Sequence, residues 1–296
     1  MIRELTLYLT SRCNHRCVEC RRQHGEKPTA PEVTRALVEH CLVRWPDIAS
    51  VCIAGFGEPL LAANLWDILA LCRDRGLFVG LITNGSLVEC YADRINGTKF
   101  GYVNVSMNAA TAEEHRAEVG ANTWVKACNG VRILADGGHN VGTSYIITRD
   151  KINRMDDYIT HAKSLGAQWV VLHNTLPHMP PDEFWQLAIT DTDTEALETI
   201  KTLRAKWGSY VTHWPVPISR GACPRNCQSP LASIGVDGDG NVTPCRRIHG
   251  PDELFGNVYT SDKAKIHDTY LRCISSIMSV PGYITECDRC FGNWSG

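Results

Sequence analysis

The sequence lacks any apolar run long enough to span a bilayer, and its start, Met-Ile-Arg-Glu-Leu, lacks the features of a secretory signal. It also lacks an excess of either charge, because 30 Lys and Arg residues face 32 Asp and Glu residues and the net charge is −2. No basic tail or patch is visible, so charge gives no support to a nucleic-acid partner. We therefore expect a cytoplasmic protein that uses neither a membrane nor nucleic acid.

Cysteine, in contrast, is abundant, with 14 residues in a chain of 296. A disulfide scaffold is typical of small secreted chains, whereas this many cysteines in a longer chain without a signal indicate metal binding. The apolar content of 44% and the length suit one large domain or two modest ones with a full core.

Three of the cysteines, Cys13, Cys17 and Cys20, form a C-x3-C-x2-C motif directly after the apolar run Leu5 to Leu9. Three thiolates on one tight loop can hold three irons of a cubane cluster, which leaves the fourth iron open to a small molecule. The alternative is a zinc knuckle. Zinc sites usually pair C-x2-C with a second pair later in the chain, and this trio does not follow that pattern.

Strand and helix patterns alternate along the first half of the chain. A possible capping box of Thr29 and Glu32 opens the first predicted helix, and Gly166 ends a later one. Repeated strand–helix units predict an α/β fold with a parallel sheet. The predicted strands span residues 2–9, 51–53, 78–82, 102–106, 140–147 and 169–172.

Polar and glycine-rich segments follow these strands, and active sites of such sheets lie at the carboxyl ends of the strands. Each segment alone also fits an ordinary turn, and Arg116 also fits a solvated helix charge. The loop after the sixth strand, with His173 and His178, is either a substrate wall or a surface connector. The candidate binding residues at the strand ends are Gly55, Gly57, Glu58, Pro59, Thr83, Asn84, Ser106, Asn108, Arg116 and Asn153.

The last part of the chain contains a second group of cysteines around a predicted β-hairpin. Two short apolar runs flank Asp237-Gly238-Asp239-Gly240, which is a strong hairpin signal. Four thiolates there suit either a saturated iron–sulfur cluster or a four-cysteine zinc site. The four expected ligands are Cys227, Cys245, Cys287 and Cys290. Cys223 is either an alternative ligand or a free thiol beside the cluster.

The cysteine loop and the ordered strand-end motifs resemble the radical S-adenosylmethionine (AdoMet) superfamily. The C-x12-G-x4-C…C-x2-C spacing resembles the twitch version of its SPASM extension. The resemblance implies a partial (β/α)6 TIM-like barrel over residues 1–185 and a helix with a linker over 186–222. A small twitch domain, a β-hairpin plus a helix, is expected over 223–296.

The same resemblance implies the cofactors and the residues that hold them. Cys13, Cys17 and Cys20 would bind a 4Fe–4S cluster whose open iron chelates AdoMet, and the second cysteine group would bind an auxiliary 4Fe–4S cluster. Gly55 to Pro59 would meet the AdoMet amino group, and the other strand-end residues would lie near AdoMet. One departure is Glu19, because the family commonly has an aromatic residue there, against the adenine.

The implied reaction is the cleavage of AdoMet to a 5′-deoxyadenosyl radical that takes a hydrogen atom from a substrate. We expect a two-electron oxidation of a small molecule, with an electron donor such as flavodoxin or ferredoxin. The chain starts directly at the first strand, without the leader-binding domain of many peptide maturases. The alternatives are an epimerase with Cys223 as hydrogen donor, a peptide maturase, and a zinc-binding structural or interaction protein without enzymatic activity.

Overall fold

The computed structural model of the chain describes residues 2–24, 30–176, 179–219, 232–243, 255–262, 264–266, 268, 269 and 271. Within these ranges the strands form one sheet in the order β10-β9-β8-β1-β2-β3-β4-β5-β6-β7. Their bounds are β1 Glu4–Tyr8, β2 Ser50–Ala54, β3 Phe78–Thr83, β4 Tyr102–Ser106, β5 Val141–Ile147, β6 Trp169–Asn174, β7 Val211–His213, β8 Ser233–Val236, β9 Asn241–Thr243 and β10 Gly256–Asn257. Predictions that lie outside the described residues concern Thr29, His178, Cys223, Cys227, Cys245, Cys287 and Cys290.

The six predicted strands are confirmed, and β1 to β6 pair in parallel with their sequence neighbours. Two further strands extend this parallel sheet, since β7 pairs with β6 and β8 pairs with β1. The short strand β7 was not predicted. The predicted hairpin is confirmed by the antiparallel pairing of β8 with β9, but it joins the barrel sheet beside β1.

Helices connect the parallel strands, as expected for right-handed crossovers. Their bounds are α1 Arg35–Arg44, α2 Leu65–Asp74, α3 Ala92–Asn96, α4 Ala112–Val119, α5 Trp124–Asp136, α6 Met155–Ser164, α7 Pro181–Leu187 and α8 Thr194–Trp207. None of the helices in the described ranges is long and apolar enough to cross a membrane.

The capping box predicted for the first helix is wrong. The helix begins at Arg35, and Thr34 is its N-cap, with a hydroxyl that accepts a hydrogen bond from the Leu37 amide at 3.2 Å. Glu32 instead accepts hydrogen bonds from Thr10 and Arg12 at the start of the cysteine loop. A carboxylate three residues after a threonine satisfies the local rule, but the tertiary partners of Glu32 decide its role.

Alternation along β1 places its two faces in different surroundings. Leu5 and Leu7 are fully buried in the main core, which also contains Leu37 of α1. Tyr8, on the other face, forms a hydrogen bond of 3.1 Å with Thr243 of β9. The helices therefore pack on one face of the sheet, and the hairpin contacts side chains on the inner face.

Aromatic rings occupy the inner face near the amino ends of the strands. A Cβ atom on Gly80 would lie 2.2 Å from the Tyr102 ring, and one on Gly142 would lie 2.1 Å from the Trp169 ring. Phe78 lies on the other side of Tyr102, with 6.1 Å between ring centroids. These rings therefore lie at the amino ends of β3, β4 and β6, opposite the carboxyl edge of the sheet.

Candidate active site

The three motif cysteines lie on the loop that follows β1. We call residues 10–20 the cluster loop. Cys13, Cys17 and Cys20 are all partly exposed and not joined by disulfides. Burial raises the pKa of Cys17 to about 12, and the neighbouring Cys20 and Cys13 raise it further. Burial also raises the pKa of Cys13, so ionising Cys13 and Cys17 is unfavourable unless a cation compensates their charge, as iron does.

The donor set fits an iron–sulfur cluster. Nδ1 of His15, between Cys13 and Cys17, is a buried atom with no hydrogen-bond partner among the described residues, as expected for a loop completed by a bound group. Within the described ranges no three His, Cys, Asp or Glu side chains gather around a point that could hold a metal ion. A cubane does not require such convergence, since each thiolate binds a different iron.

The cluster loop is docked on the carboxyl end of α4. The amides of Arg16 and Val18 donate to the carbonyl oxygens of Val119 and Glu118, both at 2.8 Å. These carbonyls belong to the last turn of a helix, where intrahelical donors are missing. Gly120 ends α4 in a left-handed conformation at φ 62°, and a Cβ atom there would lie 3.0 Å from the Arg16 oxygen. The helix end therefore fixes the middle of the loop.

The glycine-rich segment after β2 lies directly against the cluster loop. A Cβ atom on Gly57 would lie 2.3 Å from the Thr10 oxygen and 2.4 Å from the Arg12 oxygen. The next amide, of Glu58, donates to that Arg12 oxygen at 2.8 Å. Gly55 has a φ of 120° and also lies against β1, close to Tyr8. Glycine is thus needed here for close backbone approach.

Glu58 connects the ends of β2 and β3. Its carboxylate accepts hydrogen bonds from the Thr83 hydroxyl at 2.7 Å, the Asn84 amide at 2.7 Å and the Leu60 amide at 3.1 Å. Burial raises the pKa of this carboxyl group, and the three hydrogen bonds oppose that shift. Both carboxylate oxygens have protein donors. The residue therefore holds the two strand ends together, beside the AdoMet contact that the resemblance implies.

A chain of amides and a hydroxyl extends this connection to the cluster loop. Nδ2 of the Asn84 side chain donates to Oδ1 of Asn14 at 2.8 Å, and Nδ2 of Asn14 donates to the Ser86 hydroxyl at 2.8 Å. Ser86 in turn donates to Oδ1 of Asn84 at 2.7 Å. Sequence reasoning missed Asn14 and Ser86. The position of Asn14 inside the cysteine motif was the available signal.

The ends of β4 and β5 bring Ser106 and Asn108 together. The Ser144 hydroxyl of β5 donates to the Ser106 hydroxyl at 3.4 Å, and the Ile146 amide donates to Oδ1 of Asn108 at 3.2 Å. Asn108 has a left-handed backbone with φ 52°, which asparagine tolerates better than most residues. Arg116 and Asn153 lie exposed, on α4 and on the 3-10 helix Arg149–Arg154.

Glu19, at the position where the resemblance leads one to expect an aromatic ring, is buried. Its carboxylate accepts from the Thr175 hydroxyl at 2.8 and 2.9 Å, just after β6. Burial raises the pKa of Glu19, and the nearby Lys151, which pairs with Glu118 at 2.8 Å, opposes that shift. Glu19 therefore connects the cluster loop to the far side of the sheet, and no local pattern around Thr175 predicts it as the partner.

We expect Glu58→Gln to destabilise the protein by about 1–3 kcal/mol, the typical penalty for leaving a buried donor unsatisfied. The amide that replaces one carboxylate oxygen would face the donors of Thr83, Asn84 or Leu60. Urea unfolding of the purified chain measures this change. Glu89→Gln is the control, because Glu89 is exposed. Equal stability of the two variants would contradict the connecting role of Glu58.

The chain is similar to known proteins in sequence and in fold. The Radical SAM superfamily model matches residues 7–163. Mycofactocin maturase MftC of Mycobacterium tuberculosis is 29% identical over 171 residues, which cover 55% of this chain and 42% of that protein. The chain therefore spans less than half of that relative's length.

Two solved structures share the fold. The Streptococcus suis SuiB structure bound to precursor peptide SuiA has a TM-score of 0.72 at 13% identity, covering 94% of this chain and 67% of SuiB. The anSMEcpe structure with bound AdoMet has a TM-score of 0.74 at 17% identity, covering 98% of this chain and 87% of that chain. With more than half of the sequence matched by the family model, the chain belongs to the radical SAM superfamily, whose members bind AdoMet on a 4Fe–4S cluster.

Proposed function

We propose that this chain cleaves AdoMet reductively on a cluster held by Cys13, Cys17 and Cys20. The observation that carries the proposal is the placement of all three thiols on one loop at the carboxyl edge of the parallel sheet. When bound, the cluster and AdoMet supply a 5′-deoxyadenosyl radical that removes a hydrogen atom from a substrate. The protein contributes position and shielding, which is the usual division of work with such cofactors.

Residues at different strand ends provide different contacts to AdoMet. The backbone of Gly55 to Pro59 lies against the cluster loop and is offered to the amino group of AdoMet. Thr83 and Asn84 are fixed by the Glu58 carboxylate, so their positions are set before AdoMet binds. Such preorganisation lowers the ordering penalty of binding. From the next strand end Ser106 and Asn108 contribute polar groups, and Arg116 and Asn153 remain proposed contacts.

For the reaction we propose a two-electron oxidation. The substrate would lose a hydrogen atom to the 5′-deoxyadenosyl radical, which becomes 5′-deoxyadenosine. The substrate radical would then lose a proton to solvent and an electron, and would end with one new double bond such as a carbonyl. Cys227, Cys245, Cys287 and Cys290 would hold an auxiliary 4Fe–4S cluster, which would supply an acceptor for this electron. The rival reaction is epimerisation, in which the Cys223 thiol returns a hydrogen atom from the opposite face of the substrate.

The substrate is either a small molecule or a peptide. A peptide is a second candidate, because SuiB, which shares the fold, was solved with a precursor peptide. On the inner face of the barrel, Asn104 is buried with Oδ1 lacking a hydrogen-bond partner among the described residues, and it shares β4 with Ser106. That amide is suited to accept a hydrogen bond from either class of substrate.

The cleavage reaction is tested with AdoMet alone. We expect the anaerobically reconstituted chain, reduced with dithionite, to form 5′-deoxyadenosine and methionine in equal amounts, measured by chromatography and mass spectrometry. A preparation that contains zinc instead of iron and forms neither product would overturn the proposal and favour a structural zinc protein.

The two reactions differ in the mass of the product. Oxidation removes two hydrogen atoms from the substrate, whereas epimerisation in deuterated water leaves the composition unchanged apart from one deuterium. We expect the lighter product, in both Cys223→Ala and the unsubstituted chain. A product of unchanged composition that carries solvent deuterium and disappears in Cys223→Ala would exclude oxidation.

The auxiliary cluster is tested by counting iron. Seven proposed thiolate ligands imply two cubanes, or about eight irons per chain. We expect Cys227→Ala to lose about four irons, because Cys227 has the twelve-residue spacing to Gly240, and Cys223→Ala to keep the full load. Iron and sulfide analysis of both variants measures the effect, and the reverse result would exchange the roles of the two cysteines.

A further inference from the structure

A chain of buried hydrogen bonds runs from the cluster loop to the end of β4. Nε2 of His15 lies 2.9 Å from the Thr123 hydroxyl, and that hydroxyl lies 3.1 Å from Nε2 of His115. Nδ1 of His115 lies 2.8 Å from the carbonyl oxygen of Met107. Both histidines are buried, His15 at 4% exposure and His115 at 0%. The chain thus joins the middle of the cluster loop to the residue before Asn108.

The donor and the acceptor of each hydrogen bond follow from the carbonyl oxygen of Met107, at one end of the series. A carbonyl oxygen only accepts, so Nδ1 of His115 carries the proton. Burial lowers the pKa of His115, which keeps it neutral and leaves Nε2 as an acceptor. The Thr123 hydroxyl therefore donates to His115 and accepts from Nε2–H of His15.

Thr123 departs from the local rule for its position. It is the N-cap of α5, where a threonine hydroxyl usually accepts a hydrogen bond from the first turn of the helix. Here the side chain forms no capping hydrogen bond, although the N-cap residues Thr34 and Thr111 both do. A residue that lacks its usual local hydrogen bond and instead bonds a residue far away in the sequence is typical of a functional position.

We propose that Thr123 and His115 are positioning residues that hold the cluster loop through His15. The inference rests on the proposed function, because it assigns the ligands on either side of His15 to the cluster. The His115 ring is itself held in place by Trp124, with 5.5 Å between ring centroids. We call the hydrogen bonds from His15 through Thr123 and His115 to Met107 the relay. The relay fixes the segment between Cys13 and Cys17 relative to the strand end that carries Ser106 and Asn108. The cysteine thiolates and the proposed AdoMet contacts therefore keep one position relative to each other.

The first test concerns proton positions. Selective ¹⁵N labelling of histidine in the oxidised, cluster-loaded chain reports the tautomer of each ring by NMR. We expect an Nε2–H tautomer for His15 and an Nδ1–H tautomer for His115. The opposite tautomer at either ring would overturn the relay.

The second test removes the hydrogen bonds between the two histidines and keeps both imidazole rings. Thr123→Val removes both hydrogen bonds, and Thr123→Ser keeps the hydroxyl. We expect Thr123→Val to weaken AdoMet binding to the reduced cluster about tenfold, equivalent to about 1.4 kcal/mol, and to broaden the electron paramagnetic resonance signal. Thr123→Ser should restore both. Thr34→Val is the stability control, because it removes a helix cap on α1 and leaves the relay intact.

The outcomes are separable. A Thr123→Val chain with the unsubstituted spectrum and AdoMet affinity would overturn the inference, as would a loss of thermal stability with unchanged spectrum and affinity. An unsubstituted chain whose cluster does not respond to AdoMet would instead refute the proposed function, and the inference with it.

Discussion

Replacing Cys13, Cys17 and Cys20 together with alanine is expected to leave about four irons per chain and to abolish 5′-deoxyadenosine formation. The three thiols are the proposed ligands of the cluster that reduces AdoMet, and alanine supplies no ligand in their place. Iron analysis and anaerobic assay of the reconstituted triple variant measure both effects.

Cys90→Ala is the control for the triple variant. Cys90 is exposed and lies in the 3-10 helix Glu89–Tyr91, so its removal tests for general effects of losing a thiol. It should keep the full iron load and activity. Continued formation of 5′-deoxyadenosine by the triple variant would show that the cluster loop has been assigned wrongly.

Gly57→Ala is expected to reduce AdoMet cleavage about a hundredfold, the scale expected when reacting groups are misplaced by about 1 Å. The added Cβ atom would lie 2.3 and 2.4 Å from the carbonyl oxygens of Thr10 and Arg12. Both neighbours are backbone atoms, so the cluster loop must move away from the segment after β2. The rate of 5′-deoxyadenosine formation and the iron content of the variant measure the change.

Gly138→Ala provides the matched control. Gly138 has a φ of 74° and no atom within 4 Å of an added Cβ, so the substitution strains the backbone without a collision. It should lower stability by about 1–2 kcal/mol and leave the rate unchanged. Equal rates for Gly57→Ala and the unsubstituted chain would contradict the close approach of the two segments.

The six strands of the barrel were predictable because each is a short apolar or alternating run, bounded by turn residues. The three-residue strand β7 was not, since so few residues carry no periodicity. The hairpin was predictable from Asp237-Gly238, but its pairing partner was not. Pairing of Ser233–Val236 with β1 joins residues more than two hundred positions apart, and local sequence does not encode such a neighbour.

Local rules failed where side chains have distant partners. Glu32 has the spacing of a capping box, yet it accepts hydrogen bonds from Thr10 and Arg12. Thr123 occupies an N-cap, yet its hydroxyl bridges two histidines. Glu32 and Thr123 both form hydrogen bonds with residues of the cluster loop. The residues that depart from the local rules therefore lie around the candidate site.

The amino-acid sequence by itself determined the C-x3-C-x2-C loop, the order of the strand–helix units and hence the family, because these features depend on spacing along the chain. Only the tertiary structure decided how the loop is held. His15 meets Thr123 across 108 positions, and Glu19 meets Thr175 across 156. Contacts of this kind exist only once the sheet brings the carboxyl ends of its strands to one edge, and no local pattern records them.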